Sequence, residues 1–338
     1  MTTDEKILKI TDLLEEASML YYHATRNELY ENTAVSNYNV EKMHTNFYEC
    51  LIKIINYFLN DEPLDIFDDE QLQQIDKKIE ELKQFFIDNK VNSEEVRRAL
   101  LLLDIKGFKN VNFPLDYITP DATAILVSMI VKEVVKDQNN VTILDMNFGV
   151  GNLAFTVANH IQKNVSLVGF DNHELMARVA ATKANMIQIP LDIFYEDALN
   201  VLPSDVDIVI SDLACYDYEN SNYHSKLYDA NVRYFPYLVI EHYLKITKKI
   251  KYLYLIDNDF FSQKGSLEFK ELLEKNGNIL CLIALPETFF QKNAKTKSIL
   301  ILDNKEKTNK GTEIFVLPPL EKKNQFLQVM NKIKECIK

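Results

Sequence analysis

The chain has 338 residues, of which 47% are hydrophobic, enough to bury a large core and to exclude a mainly disordered protein. Its formal net charge is −12. Residues 1–105 hold 11 Lys and Arg against 22 Asp and Glu (net −11), and residues 106–338 hold 27 against 28 (net −1). An acidic front part repels a phosphate backbone, so the composition excludes indiscriminate nucleic-acid binding and leaves specific binding open.

The cysteines and the N-terminal segment indicate the compartment. Four cysteines lie far apart without metal-binding spacing, which predicts reduced thiols and no metal site. The start "MTTDEKILKITDLLEEA" is acidic and amphipathic, unlike a signal peptide, and no apolar run approaches ~20 residues. We therefore expect a soluble cytoplasmic protein without a membrane segment.

The first third of the chain reads as helical. Apolar residues recur at spacings of three and four, as in Ile7, Ile10 and Leu14, and the first glycine is Gly107. The pattern predicts a domain of three to five helices over residues 1–105. Its acidic surface is the expected contact for a protein partner or for a second copy of the chain.

After Gly107, short β-rich runs alternate with helical runs, which predicts a mainly parallel sheet with helices on both faces. The last two strands are joined by a loop too short for a crossover, so the final strand is predicted to be antiparallel. This α/β domain spans residues 106–320, and residues 321–338 form one amphipathic helix. The predicted strands are 141–145, 165–171, 191–195, 206–211, 251–257, 278–285 and 297–303, with helices near 151–163, 173–187, 233–249 and 266–276.

Two of the seven glycines lie close together in "ILDMNFGVGNLAF". A strand ending in Asp145 is followed by Gly149, Gly151 and a helix, a turn in which backbone can approach a ligand at a helix N-terminus. In doubly wound sheets this is the place where nucleotides bind. The alternative is a tight turn without a ligand.

Two cofactors fit this turn. The pattern Gly149-x-Gly151-x-x-Ala154, with Asp171 20 residues after Gly151, satisfies a dinucleotide fingerprint. Three other features favour S-adenosylmethionine: Asp145 beside the loop suits a cationic amino group, Asp197 after the third strand can accept from an adenine amino group, and the final strand is antiparallel.

Residues 106–305 resemble class I S-adenosylmethionine-dependent methyltransferases and, more narrowly, the amino-methylating, adenine-type DNA methyltransferase family with its YtxK-like bacterial branch. The resemblance lies in "ITPDATAILVSMIV", the glycine turn, "YEDAL", "DIVISDLACYDY" and "LIALPETFFQKNAKTKSILIL". It implies a Rossmann-like methyltransferase sheet after an all-α domain. It also implies S-adenosylmethionine as cofactor, contacted by Thr119, Pro120, Asp145, Asn147, Gly149, Gly151, Asp171, Asn172, Asp197 and Ala198.

The resemblance also implies a catalytic motif of Asp212, Leu213, Ala214 and Tyr216. In the family an acidic or amide side chain and a following carbonyl accept hydrogen bonds from an amine, and an aromatic stacks on the base. Here Asp212 is kept, Ala214 stands where the family has proline, and Tyr216 comes one place late. Ala214 removes a fixed φ angle and leaves a carbonyl whose position must be held by other contacts.

Two neighbouring segments bear on substrate binding. The aromatic-rich residues 216–237, with His224 and Arg233, fit either a substrate-covering loop or ordinary core packing. The basic run "QKNAKTK" is interpreted as a solvated face, with a nucleic-acid groove as the alternative.

Three functions therefore stay open. The first is methylation of an amino group on a nucleic-acid base or a related substrate by the 106–320 domain. The others are a regulatory protein that binds S-adenosylmethionine without catalysis and a nicotinamide-dependent oxidoreductase.

Overall fold

A computed structural model describes residues 1–32, 46–66, 68–203, 205–290, 294–305 and 311–338. The chain divides into two compact units. The first comprises Met1–Tyr117 and Arg178–Gln188, and the second comprises Ile118–Ala177 and Ile189–Lys338. The domain limits given above stay predictions. Within the described ranges, no helix has the length and apolar character needed to cross a membrane.

The first unit is built from helices α1 (Thr3–Asn32), α2 (Phe47–Asn60), α3 (Asp69–Asn89) and α4 (Ser93–Asn110). Side chains that accept backbone N–H groups start three of them: Asn46 for α2, Asp68 for α3 and Asn92, in a reciprocal capping box with Glu95, for α4. α1 packs against the other three. The spacing of three and four therefore places one apolar face of each helix in a shared core.

A charged pair lies inside this unit. The Lys183 ammonium contacts the Asp104 carboxylate, and the Tyr48 hydroxyl donates to the same carboxylate over 3.3 Å. The side chains of Lys183 and Asp104 are 3% and 0% exposed. Burial lowers the pKa of Lys183 and raises that of Asp104, so each charge depends on the other for its stability.

The second unit contains an eight-stranded sheet in the order β3-β2-β1-β4-β5-β7-β6-β8. All neighbouring strands are parallel except β7, which runs antiparallel to both β5 and β6. The strands are β1 (Asn140–Asp145), β2 (Asn164–Asp171), β3 (Leu191–Tyr195), β4 (Ile208–Asp212), β5 (Lys251–Asp257), β6 (Asn278–Ala284), β7 (Lys297–Asp303) and β8 (Glu313–Val316).

The remaining helices are α5 (Asp121–Val134), α6 (Asn152–Ile161), α7 (Glu174–Ile187), α8 (Lys226–Asp229), α9 (Phe235–Tyr243), α10 (Ser266–Asn276) and α11 (Lys323–Cys336). Those between strands return the chain to the same end of the sheet. β1, β2, β3 and β4 are parallel and therefore all finish at one edge, and each ends in, or is followed within two residues by, an aspartate.

The predicted fold class is confirmed, including the antiparallel β7. Several element ends differ from the sequence-based prediction by one or two residues, and β8 and the end of α9 differ by more. β8 was not predicted, because it has four residues and pairs only at the far edge of the sheet. α9 ends at Tyr243 instead of near residue 249, since Lys245 and Ile246 close the last turn with bonds to the residues three before them.

Candidate active site

The glycine turn needs its two glycines for different reasons. Gly149 and Gly151 have φ angles of +54° and +81°, a region that side chains avoid. A Cβ on Gly151 would also lie 2.3 Å from the Phe155 ring, whereas one on Gly149 would meet no described atom within 4 Å. The backbone at Gly149 is therefore open to a ligand, while Gly151 is fixed by packing.

Asp145, the last residue of β1, is only 1% exposed. Its Oδ1 accepts from the Ser211 hydroxyl (2.7 Å) and from the Asn147 amide N–H (3.0 Å), both neutral donors. Burial, helped by the charges of Asp212 and Asp171, raises its pKa to about 7. A cationic group bound beside Asp145 would favour its charged form.

Asn147 gives a second sign of a ligand. Its side-chain Oδ1 is buried and accepts no hydrogen bond from the residues that the structure describes. Buried polar atoms are rarely left without a partner, and a donor on a ligand would supply one. Together with Asp145 and the open backbone at Gly149, this oxygen fits the ammonium end of an amino acid such as the methionine part of S-adenosylmethionine.

Asp171, at the end of β2, holds the glycine turn in place. Its Oδ2 accepts from the Gly149 N–H and its Oδ1 from the His173 N–H, both at 2.8 Å. Burial raises its pKa. Each oxygen has a further lone pair that can accept from a ribose hydroxyl. Its neighbour Asn172 is exposed.

Asp197 follows β3 and is tied to the aromatic segment. Its Oδ1 accepts from the Leu199 N–H (2.9 Å) and its Oδ2 from the Tyr218 hydroxyl (2.6 Å). Burial, together with Asp197, raises the pKa of Tyr218 to about 12, so this hydroxyl remains a donor. Ala198 is buried, and its carbonyl accepts from the Tyr243 hydroxyl (3.0 Å).

Asp212, the last residue of β4, is bound on both oxygens. The Thr119 hydroxyl donates to Oδ2 over 2.8 Å, and the Lys297 ammonium contacts Oδ1. The Asn152 side chain in turn donates to the Thr119 carbonyl over 2.6 Å, and Pro120 immediately precedes α5. Burial is the largest single influence on the pKa of Lys297 and lowers it, but Asp212 and Asp257 together outweigh burial and raise this pKa.

Lys297 was missed by the sequence analysis. It belongs to the run "QKNAKTK", whose first three residues, 291–293, lie outside the described part of the chain. The interpretation of this run as a solvated face is wrong for Lys297, whose side chain is 16% exposed. Its only sequence signal was its position as the first residue of a strand flanking β5.

The rest of the predicted catalytic motif is held by backbone contacts. The Leu213 N–H donates to the Leu255 carbonyl (3.1 Å), and the Phe235 N–H donates to the Tyr216 carbonyl (2.9 Å). The Tyr216 ring stacks on Phe235 with centroids 4.6 Å apart. The half-buried Ala214 lies between these anchored residues, which limits the freedom introduced by the missing proline.

Most aromatic residues of the 216–237 segment belong to the core. Tyr218, Tyr223 and Tyr237 are at most 8% exposed, whereas Tyr216 is 39% exposed. The Arg233 guanidinium lies over the Tyr228 ring, 3.8 Å from its centroid. Core packing therefore accounts for most of this segment, and Tyr216 is the aromatic that a substrate can reach.

Hydrogen bonds connect most of the predicted site residues. Thr119 binds Asp212, whose neighbour Ser211 binds Asp145, and Asp145 binds Asn147. Gly149 and Asp171 form a second link, and Asp197 with Tyr218 a third. Three more predicted residues are sequence neighbours of these linked residues: Pro120 follows Thr119, Asn172 follows Asp171 and Ala198 follows Asp197. One edge of the sheet thus carries both the glycine turn and the Asp212 carboxylate.

Known proteins are similar to this chain in sequence and in fold. The sequence model of the family described as N-6 DNA Methylase matches residues 116–336. YtxK, an uncharacterised protein of Bacillus subtilis (strain 168), is 32% identical over 202 residues, which cover 58% of this chain and 61% of that relative's length.

Two crystal structures illustrate the shared fold. A proposed class I S-adenosylmethionine-dependent methyltransferase from Listeria monocytogenes superposes with a TM-score of 0.76 at 22% identity, covering 99% of this chain and 100% of the other. A modification subunit of a proposed type I restriction enzyme from Vibrio vulnificus gives 0.57 at 13%, covering 96% and 83%. The family match covers well over half of the sequence, and by that match the chain belongs to the N-6 DNA methylase family.

Proposed function

We propose that the protein transfers a methyl group from S-adenosylmethionine to an exocyclic amino group of a nucleic-acid base. The observation that carries this proposal is the short connection between Asp212 and the glycine turn. The Asp212 side chain accepts from Thr119, and its sequence neighbour Ser211 donates to Asp145. Asp145 also accepts from the Asn147 N–H in the turn. Membership of the N-6 DNA methylase family supports both the cofactor and the kind of acceptor.

The cofactor half of the site has a group for each part of S-adenosylmethionine. Asp145 and Asn147 suit the amino group, Asp171 the ribose hydroxyls and Asp197 the adenine amino group. When bound, the cofactor supplies an electrophilic methyl group on a sulfonium. The dinucleotide alternative would bring a pyrophosphate close to the buried Asp145 carboxylate, an unfavourable contact between like charges.

Asp212 has the acceptor role. An aromatic amine is a weak nucleophile because its lone pair is shared with the ring, and Asp212 and the Leu213 carbonyl can accept its N–H groups as the nitrogen becomes tetrahedral. The amine forms the new N–C bond, the electron pair of the broken C–S bond stays on sulfur, and one amine proton leaves to solvent. Positioned hydrogen-bonding groups of this kind contribute about 10²–10³-fold to a rate.

The proposed substrate is DNA, in line with the family description. Residues 106–338 have a net charge of −1 and therefore repel the DNA phosphates far less than residues 1–105, with a net charge of −11. The structure from Vibrio vulnificus is a subunit of a larger enzyme. We therefore also propose a protein partner or a second copy, with the acidic helices of residues 1–105 as the contact.

Calorimetry with S-adenosylmethionine, S-adenosylhomocysteine and a nicotinamide dinucleotide tests the cofactor. We expect the first two to bind and the third not to. Binding of the dinucleotide alone would contradict the proposal.

Labelled methyl transfer to cellular DNA and RNA then tests the reaction. Asp212→Ala is expected to lower incorporation about 10²-fold or more, since it removes the acceptor, while cofactor affinity is kept. Asp212→Asn is the matched control, because its amide oxygen can still accept one hydrogen bond. Equal incorporation by wild type and Asp212→Ala would rule out the role of Asp212, and no incorporation into any nucleic acid would leave a cofactor-binding protein without this activity.

A further inference from the structure

Lys297 reaches the acceptor carboxylate because of the antiparallel β7. The strand starts at Lys297, which pairs with Asp257 at the end of β5, so its first residue lies at the edge where β4 ends in Asp212. The side chains of Lys297 and Asp212 are 16% and 11% exposed. A residue 85 positions away in sequence thus contributes a cation to the acceptor site.

The pair offers two kinds of hydrogen bond side by side. Asp212 accepts, since it is a carboxylate with its charge balanced by a neighbouring ammonium. Lys297 donates: its ammonium has three N–H groups, of which the contact with Asp212 uses one. The Thr119 hydroxyl fixes the other oxygen of Asp212, so the carboxylate cannot rotate away freely.

Adenine and cytosine carry the complementary arrangement. In each base the exocyclic amino group, a donor, is bonded to the same carbon as a ring nitrogen that accepts. A carboxylate alone recognises the amine, whereas a carboxylate beside an ammonium recognises the amine together with its ring nitrogen.

We propose that Lys297 is a specificity-determining residue of the methyl-acceptor site. Its ammonium donates a hydrogen bond to the ring nitrogen next to the amine, while Asp212 accepts a hydrogen bond from the amine itself. This inference rests on the proposed function, and it adds the ring nitrogen beside the amine to the groups that the site recognises. The raised pKa of Lys297 keeps it a donor at neutral pH.

Lys295 provides a matched control two residues earlier in the chain. Its ammonium lies 3.2 Å from Asp257 and its side chain is 71% exposed. Replacing Lys295 removes the same charge from the same segment and leaves the pair of Lys297 with Asp212 intact.

The test measures binding to the protein saturated with S-adenosylhomocysteine, so that no turnover is needed. The probes are short fluorescent single-stranded oligonucleotides with random flanks and a central adenine, 1-deazaadenine or 7-deazaadenine. The 1-deaza base lacks the ring nitrogen beside the amine, while the 7-deaza base keeps it and lacks a nitrogen elsewhere. Single strands remove the energy needed to take a base out of a duplex.

We expect wild type to bind the 1-deaza probe about 10-fold more weakly than the adenine probe, the effect of losing one charge-assisted hydrogen bond, and to bind the 7-deaza probe like adenine. Lys297→Met is expected to reduce the difference to less than about 2-fold. Lys295→Met should keep the full difference. Lys297→Gln, which retains an N–H donor without the charge, should keep part of it and shows that any loss is not due to misfolding.

Several results would overturn the inference. One is equal affinity of wild type for adenine and 1-deazaadenine. A second is a difference that survives in Lys297→Met, and a third is binding to none of the oligonucleotides while S-adenosylhomocysteine binds. Failure of S-adenosylhomocysteine itself to bind would instead contradict the proposed function.

Discussion

Two lysine–aspartate pairs in this chain have the same chemistry and different surroundings. Lys183 and Asp104 of the first unit are almost fully buried, whereas Lys297 and Asp212 of the second unit are partly exposed at the sheet edge. Burial lowers the pKa of Lys183, while for Lys297 the nearby carboxylates Asp212 and Asp257 together outweigh burial and the pKa is raised. The deeper pair is therefore a stability element, and the shallower one keeps its charges where a substrate can reach them.

The largest expected effect is that of Lys183→Met, which leaves the Asp104 carboxylate buried with only the Tyr48 hydroxyl as a described donor. The free energy of unfolding should fall by about 3–5 kcal/mol at neutral pH, as when one partner of a buried pair is removed. Urea denaturation of wild type and variant measures the loss.

The pH dependence of that loss has a definite sign. Burial raises the pKa of Asp104 in the folded state. At pH values between the pKa of the unfolded chain and that of the folded variant, Asp104 is therefore protonated in the folded variant and ionised in the unfolded chain. Stability is then retained at low pH and lost as pH rises from about 4. The deficit should be clearly smaller near pH 5 than at about pH 8, and equal deficits would contradict a buried unpaired carboxylate.

Asp145 extends the comparison to a buried acid whose described hydrogen-bond donors are neutral. Its pKa of about 7 is raised, so the folded protein holds a proton that the unfolded chain loses, and stability falls as pH rises from about 4 to 7. Asp145→Asn removes this titration, and the amide oxygen can keep the bonds from Ser211 and Asn147. We expect the variant to be more stable than wild type by up to about 4 kcal/mol near pH 8 and nearly equal to it near pH 4.

Thermal or urea unfolding without cofactor, at both pH values, checks this. Calorimetry on the same variant should show weaker S-adenosylmethionine binding, since the amide no longer attracts the amino group. A variant less stable than wild type at the higher pH would mean that the carboxylate already has a cationic partner.

The strands could be predicted because each is a short apolar, β-rich run with polar boundaries. Residues 191–195, 251–257 and 297–303 agree with the structure at both ends. β8 has four residues of which three are exposed, so its pairing with β6 is the main cause of its conformation. The sequence of residues 313–316 by itself does not indicate that pairing.

The site was predictable where residues follow a strand end and unpredictable where they come from another part of the chain. Asp145, Asp171, Asp197 and Asp212 lie at the carboxyl-terminal edge, as the strand pattern indicates. Lys297 contacts Asp212 only because β7 runs antiparallel beside β5, and Tyr218 contacts Asp197 through a loop that folds back. The burial of Asp145, and hence its raised pKa, follows from packing that a sequence motif does not contain.

The smallest expected effect is on the stability of Lys297→Met, the same substitution made in the shallower pair. We expect the free energy of unfolding to fall by about 1–2 kcal/mol at neutral pH, between the values for exposed and fully buried pairs, because Asp212 keeps the Thr119 hydroxyl and is 11% exposed. Lys295→Met, at a more exposed pair, should change it by no more than that. If Lys297→Met instead destabilised the protein as much as Lys183→Met, the two pairs would have the same structural role, and a loss of base discrimination in Lys297→Met could not be separated from damage to the fold.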